Sequence, residues 1–163
     1  LILVPEKDYM DSEVITKELK RIESLLLEQQ RWQTMELTRA WAKKQSEFAG
    51  VYMLFDEGRP VYVGETGKLL GRITDMLDSR HHTVRRSIGE QYYSGQANYV
   101  KATSKQKHPD HIEILVQNHL MKLKLSVLPI NFGRKEFEEY IIDKYNPVLN
   151  RKSKRGVVSL RRT

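Results

Sequence analysis

The apolar residues between positions 50 and 66 crowd into two short runs, whereas elsewhere they recur every three to four residues, so the chain predicts one hairpin among several helices. GVYMLFDEGRPVYVGET (50–66) is rich in β-branched and aromatic residues. It breaks at Asp56-Glu57-Gly58-Arg59, where Gly58 accepts positive φ, and the hairpin so formed carries Tyr52 and Tyr62 on neighbouring strands. Upstream, Ile15, Leu19, Ile22 and Leu26 form one helical stripe that Asp11 and Ser12 can cap. Since no Gly or Pro interrupts residues 6 to 49, this helix is expected to run on, with or without a break, through Leu25, Trp32, Leu37 and Trp41 to Lys44. Leu69, Leu70, Ile73, Met76 and Leu77 line a helix after the hairpin, and His82 to Glu90 predicts another, closed by Gly95. Residues 101–109 are polar and aperiodic and read as a loop. A helix from Asp110 to about Met121 follows, then a strand within 122–130, a break at Gly133, and a helix from Arg134 to Tyr145 that stops ahead of Pro147. The expected fold is α+β, a small antiparallel three-stranded sheet flanked by helices. Its divisions are a helical arm (1–45), a folded domain (46–151) and a basic tail (152–163).

Charge sharpens this picture by its placement. The net charge is +7, yet residues 1–45 sum to zero and residues 46–150 to +1, so the excess sits from Arg151 onward. Within the domain, residues 68–107 hold eight basic side chains against Asp75, Asp78 and Glu90, a local excess that suits a phosphate-binding surface. The candidates for contacting DNA are Lys68, His82, Arg85, Arg86, Lys105 and Lys107. A solvated helical face is the plain alternative. The chain contains no Cys, which excludes disulfides and thiolate metal sites and is read as a reducing, cytoplasmic setting. Its apolar runs are too short for a membrane span, and no signal pattern is seen.

Gly50-Val51-Tyr52 and Tyr62-Val63-Gly64, followed by Arg72 on the next helix and by Glu138, Pro147 and Asn150 near the C-terminus, resemble the GIY-YIG nuclease superfamily. The resemblance covers roughly residues 46–151, and it is the order and spacing of five elements together that is specific. It implies hydrolysis of DNA phosphodiester bonds with a divalent cation, Mg²⁺ or Mn²⁺. Tyr52 or Tyr62 would take a proton from water while the other supports the phosphate, and Arg72 would supply a fixed positive fork. Glu138 would hold the cation, which suits Mg²⁺ because that ion binds through one or two carboxylates and substrate oxygens. Glu139 is the rival carboxylate, and the spacing to Asn150 selects Glu138. The sequence offers no paired acids close to Tyr52 and Tyr62, so a two-metal mechanism is disfavoured. Asn150 is expected to fasten the segment after Pro147 by side-chain to backbone hydrogen bonds, beside the site.

One position departs from the pattern. Many members carry His or Tyr four residues after the arginine, where this chain has Met76, which cannot transfer a proton. Either that role is absent or His81 or His82 fills it. The resemblance is closest to a small stand-alone restriction-type endonuclease acting on double-stranded DNA, as a homodimer if it cuts a symmetric site. The arm then serves as a lid over the core, a dimer interface or a DNA clasp. A repair or mobile-element nuclease and an inactive nucleic-acid-binding module of the same fold are the competing readings.

Overall fold

The computed structural model describes residues 12–151. Six helices and four strands follow one another as α1 (Ser12–Leu26), β1 (Gln33–Thr34), α2 (Arg39–Ala42), β2 (Gly50–Asp56), β3 (Arg59–Thr66), α3 (Leu69–Asp75), α4 (Thr83–Tyr93), α5 (Asp110–Met121), β4 (Lys124–Pro129) and α6 (Arg134–Tyr145). The sheet is antiparallel in the order β1-β4-β2-β3. The expected three strands are present, and β1 adds a fourth.

That extra strand comes from the segment expected to be helical. The helix ends at Leu26, a 3-10 turn follows at Gln29–Arg31, and Gln33 and Thr34 pair with Leu125 and Lys124. Tertiary contacts explain the change. Trp32 stacks on Phe55 with ring centroids 4.2 Å apart and donates its indole N–H to the Leu26 carbonyl, while Trp41 donates its own to Gln33. Burying two indoles against the sheet outweighs the modest propensity that favoured a continuous helix.

The hairpin forms as its sequence dictates. Glu57 and Gly58 both take positive φ, as a two-residue turn compatible with strand twist requires. Residues of β2 and β3 then divide by alternation between two apolar layers. Tyr52, Leu54 and Tyr62 face a core built with α3, α4 and α5, whereas Val51, Met53, Phe55 and Val63 face α1 and α6. β3 is an edge strand, and the segment after Pro147 covers it. Leu149 donates its N–H to the Val61 carbonyl, and the Asn150 side chain both accepts from Val63 N–H (2.9 Å) and donates to Val63 C=O (2.8 Å). An amide side chain here mimics a neighbouring strand, which blunts an edge that would otherwise invite pairing.

α1 is fastened to α6 by one buried carboxylate. Glu23 accepts hydrogen bonds from Tyr140, Tyr145 and Lys144. Burial disfavours its charge, yet the Lys144, Tyr145 and Tyr140 bonds outweigh that and hold its carboxyl below the usual glutamate range. Replacing Glu23 by Ala strands two tyrosine hydroxyls and leaves Lys144 to the solvent. A loss of about 1–3 kcal/mol in chemical denaturation is expected. Since the depressed carboxyl stabilises the fold while ionised, that stabilisation is present above the unfolded glutamate pKa and fades as pH falls through the folded one. The gap between wild type and Glu23→Ala should therefore narrow in acid.

Among the described residues no helix is long and apolar enough to cross a membrane. Residues 1–11, with the Asp11 cap, and the basic tail 152–163 lie outside the described residues.

Candidate active site

Tyr52 lies opposite Gly64 in the hairpin register, and Leu54 lies opposite Tyr62, so the two phenols are diagonal neighbours on one face. Their ring centroids are 6.0 Å apart. The Tyr52 ring lies directly over Gly64, where a Cβ would overlap both ring and hydroxyl. Gly64 is thus needed for close approach of a side chain, and the same holds for Gly50, whose Cβ would run into the Leu128 carbonyl and Leu69.

The third member of this cluster is His82. It is fully buried at the start of α4, where its Nδ1 accepts the Val84 N–H at 3.0 Å and so caps the helix. With Nδ1 occupied as an acceptor, the neutral ring carries its proton on Nε2, which stands 2.9 Å from the Tyr52 hydroxyl and donates to it. Burial, reinforced by Arg72, Arg86 and Arg85, holds the imidazole well below its ordinary pKa, so it stays neutral. His82 therefore has an interior position, in place of the DNA-facing one expected of it. Of the two histidines offered in place of the residue missing at Met76, it is the one in contact with Tyr52. Met76 itself is buried core, and His81 is exposed.

Tyr52 is held equally firmly in its neutral form. Burial is the main cause, the neighbouring Tyr62 adds to it, and Arg72 opposes it. A phenol held in its protonated form is not available as a base near neutrality and keeps its proton to donate. Because His82 already donates to its oxygen, the Tyr52 hydroxyl proton is free to point at another acceptor. Arg72, on α3, is half-buried; it donates to the His81 carbonyl at 3.0 Å and lies 3.4 Å from Asp75. Its charge acts on Tyr52 and Tyr62 and also on Glu138.

Glu138 reaches the site from the other side of the sheet. α6 packs against β3 on the face opposite the tyrosines, so the candidate site straddles the edge strand, with the phenols and His82 on one face and Glu138 on the other. Burial raises the Glu138 carboxyl above its usual value, and the charge of Glu65 raises it further, while the Glu65 backbone N–H and Arg72 pull the other way. This is the residue that sequence reasoning missed. Glu65 directly follows Gly64, and alternation along β3 turns it toward α6, where its carboxylate is held by Arg134 at 3.2 Å. The expectation of no paired acids is corrected to that extent: Glu138 has an acidic neighbour, already engaged by an arginine. The strand period and the helical position of Glu138 contained the signal, but nothing in the sequence paired β3 with α6.

A divalent cation suits Glu138. Its carboxyl is half-buried beside another acid, and such a group gains from a cation that offsets both desolvation and the like charge. Among the described residues no three His, Asp or Glu side chains gather into a cage. A cation held by one or two carboxylates with waters and phosphate oxygens is the Mg²⁺ pattern.

The remaining candidates are dispersed. Glu139, beside Glu138 on α6, is exposed. Lys68 is exposed at the start of α3, where Thr66 accepts its backbone N–H at 3.1 Å. Lys105 is exposed in the 101–109 loop, and Lys107 lies 3.7 Å from Asp78. Arg86 is partly buried one turn after His82. Arg85 is the clear correction. It is only 3% exposed, and its guanidinium donates to Ser79, Gln117, Glu113 and the Met76 carbonyl. Four hydrogen bonds occupy the fork inside the protein, so it is not available to DNA. It ties α4 to α5. Arg85→Ala leaves Glu113 without its cation and is expected to cost about 3 kcal/mol in denaturant unfolding, with cleavage positions unchanged in the folded fraction.

No protein-family model matches the chain, and no curated protein matches it significantly. Among solved structures it is similar to the GIY-YIG N-terminal endonuclease domain of UvrC from Thermotoga maritima. A point mutant bound to its catalytic divalent cation superposes with a TM-score of 0.41 at 19% identity, over 72% of this chain and 98% of that one. The magnesium-bound form gives 0.39 at 20% identity, over 72% and 99%. Likeness at this level assigns no residue a role.

Proposed function

We propose that the chain is a divalent-metal-dependent DNA endonuclease that hydrolyses phosphodiester bonds at the edge of β3. The observation that carries this reading is the convergence of Tyr52, Tyr62, His82 and Arg72 on one side of that strand with Glu138 on the other. Cleavage requires a proton acceptor for water, positive charge on the non-bridging oxygens and help for the leaving oxygen. Glu138 would hold the cation, and the bound ion would lower the pKa of water and polarise the phosphate. Arg72 is a fixed cation whose fork matches phosphate oxygens. His82 acts through Tyr52 as a positioning residue: its Nε2–H fixes the phenol oxygen and leaves the phenol proton for a phosphate oxygen or the Tyr62 hydroxyl. Tyr62 is then the proton acceptor, because Tyr52 is held neutral. Accepting a proton from water calls for positive charge beside the phenol, which Arg72 and the cation would supply.

Within that activity, the finer proposal is site-specific, restriction-type cutting of double-stranded DNA in the cytoplasm. The exposed lysines at 68, 105 and 107 would meet the backbone, and a palindromic site would require a homodimer with matching twofold symmetry. Incubating the protein with plasmid and phage DNA, with and without Mg²⁺, and sequencing the ends tests both levels. Ends at one repeated sequence support the restriction reading, whereas Mg²⁺-dependent nicking confined to damaged or branched DNA would replace it with a repair function. An intact substrate in Mg²⁺ and in Mn²⁺ would leave a binding module.

A further inference from the structure

The cationic side of the site extends beyond Arg72. Arg86 lies four residues after His82 on α4, so the two share one face of that helix, and His82 is in contact with Tyr52. Arg151 follows Asn150, whose side chain is clamped to the Val63 backbone, one residue from Tyr62. The chain thereby brings Arg151 to the edge strand that carries the phenols. Arg86 has a buried Nε with no hydrogen-bond partner, and among the described residues neither Arg86 nor Arg151 forms an ion pair within 4.0 Å. Burial, then the like charges of Arg151 and Arg72, push the Arg86 guanidinium below its ordinary value.

Elsewhere among the described residues, arginines that are buried or partly buried are paired. Arg85 has Glu113 and Arg134 has Glu65. Arg86 alone among these is left with an unsatisfied donor and two like-charged neighbours, an arrangement that burial penalises unless an anion completes it. An anion that meets this fork beside Tyr62 and Arg72 is a phosphate of the same nucleic-acid strand.

We propose that Arg86 and Arg151 form a second phosphate subsite beside Arg72, which grips a DNA backbone phosphate adjoining the one to be cut and sets the register of the scissile bond against Tyr62. This rests on the nuclease reading above and narrows Arg86 from a general candidate for contacting DNA to a contact with the phosphate backbone.

Binding of a fluorescently labelled duplex to the full chain, measured by anisotropy in EDTA over a range of salt, tests the subsite without cleavage. Arg86→Ala with Arg151→Ala should weaken binding to every sequence alike and flatten the log–log salt dependence by about 0.9 for the one phosphate no longer neutralised. Arg86→Lys, which keeps the charge, should retain the wild-type slope but shift the cut position or lower its fidelity in Mg²⁺. Should Arg86→Ala fail to fold, Arg151→Ala, at an exposed position, carries the same expectation of a flattened slope. A double variant with wild-type slope overturns the subsite, as does a slope flattened as much by Arg86→Lys as by Arg86→Ala, which marks a packing role. The two levels separate cleanly. Wild-type protein that binds with this slope but never cuts defeats the nuclease reading alone, and a double variant that cuts normally with full salt dependence defeats the subsite alone.

Discussion

Glu138→Gln is expected to reduce cleavage at least about 10³-fold while making the metal-free protein more stable at neutral pH. The first effect follows from loss of the carboxylate that would hold the cation; electrostatic stabilisation worth about 4 kcal/mol corresponds to that factor. The second follows from the environment of the side chain. Burial and then the Glu65 charge raise the Glu138 carboxyl, so the folded protein prefers it protonated. A raised carboxyl contributes stability that is fully present below its unfolded pKa and is lost as pH rises through the folded value. At neutral pH the wild type has lost that contribution, whereas glutamine never carried the charge. Thermal unfolding in EDTA should give Glu138→Gln the higher Tm at pH 7, and the difference should close below the ordinary glutamate pKa. Adding Mg²⁺ should raise the Tm of the wild type and leave the variant where it was. A variant less stable at neutral pH, or one that still responds to Mg²⁺, would place the cation elsewhere.

Tyr62→Phe should slow single-turnover hydrolysis by about 10² to 10⁴, the range expected for removal of a positioned proton acceptor. Tyr52→Phe is expected to have a different signature. Phenylalanine keeps the ring over Gly64 but leaves the buried Nε2–H of His82 without an acceptor, so the variant should lose about 1–3 kcal/mol of stability as well as rate. Equal rate losses for the two phenylalanine variants, with no difference in stability, would contradict the separate roles drawn from the His82 bond.

The hairpin, the last helix and the strand before it were legible because their signals are local. Gly58 fixes the turn, Gly133 at positive φ opens α6, and Pro147 closes it. The tyrosine pair was legible for the same reason, since strand alternation alone sets two phenols on one face. What the sequence concealed depends on contacts between distant segments. Residues 27 to 44 lack any breaker, yet Trp32 and Trp41 gain more from the sheet and its neighbours than from a continued helix. Arg85 and Arg86 are adjacent and chemically identical on paper. Helical geometry turns the first into the interior toward Glu113, 28 residues on, and leaves the second beside His82. His82 resembled a surface residue until Tyr52, 30 residues earlier, provided its partner. Glu65 was in plain view after Gly64, but its neighbour Glu138 lies across the strand on another element.

The central claim is that one cation-dependent site at the edge of β3 cuts DNA. Single-turnover cleavage of a labelled duplex, followed as Mg²⁺ is titrated into wild-type and Glu138→Gln protein prepared in parallel, tests it most directly. A rate that rises from zero and saturates with Mg²⁺ for the wild type, and stays flat for the variant, is the predicted result. Cleavage by the wild type in EDTA, or equal rates for both proteins across the titration, would contradict it.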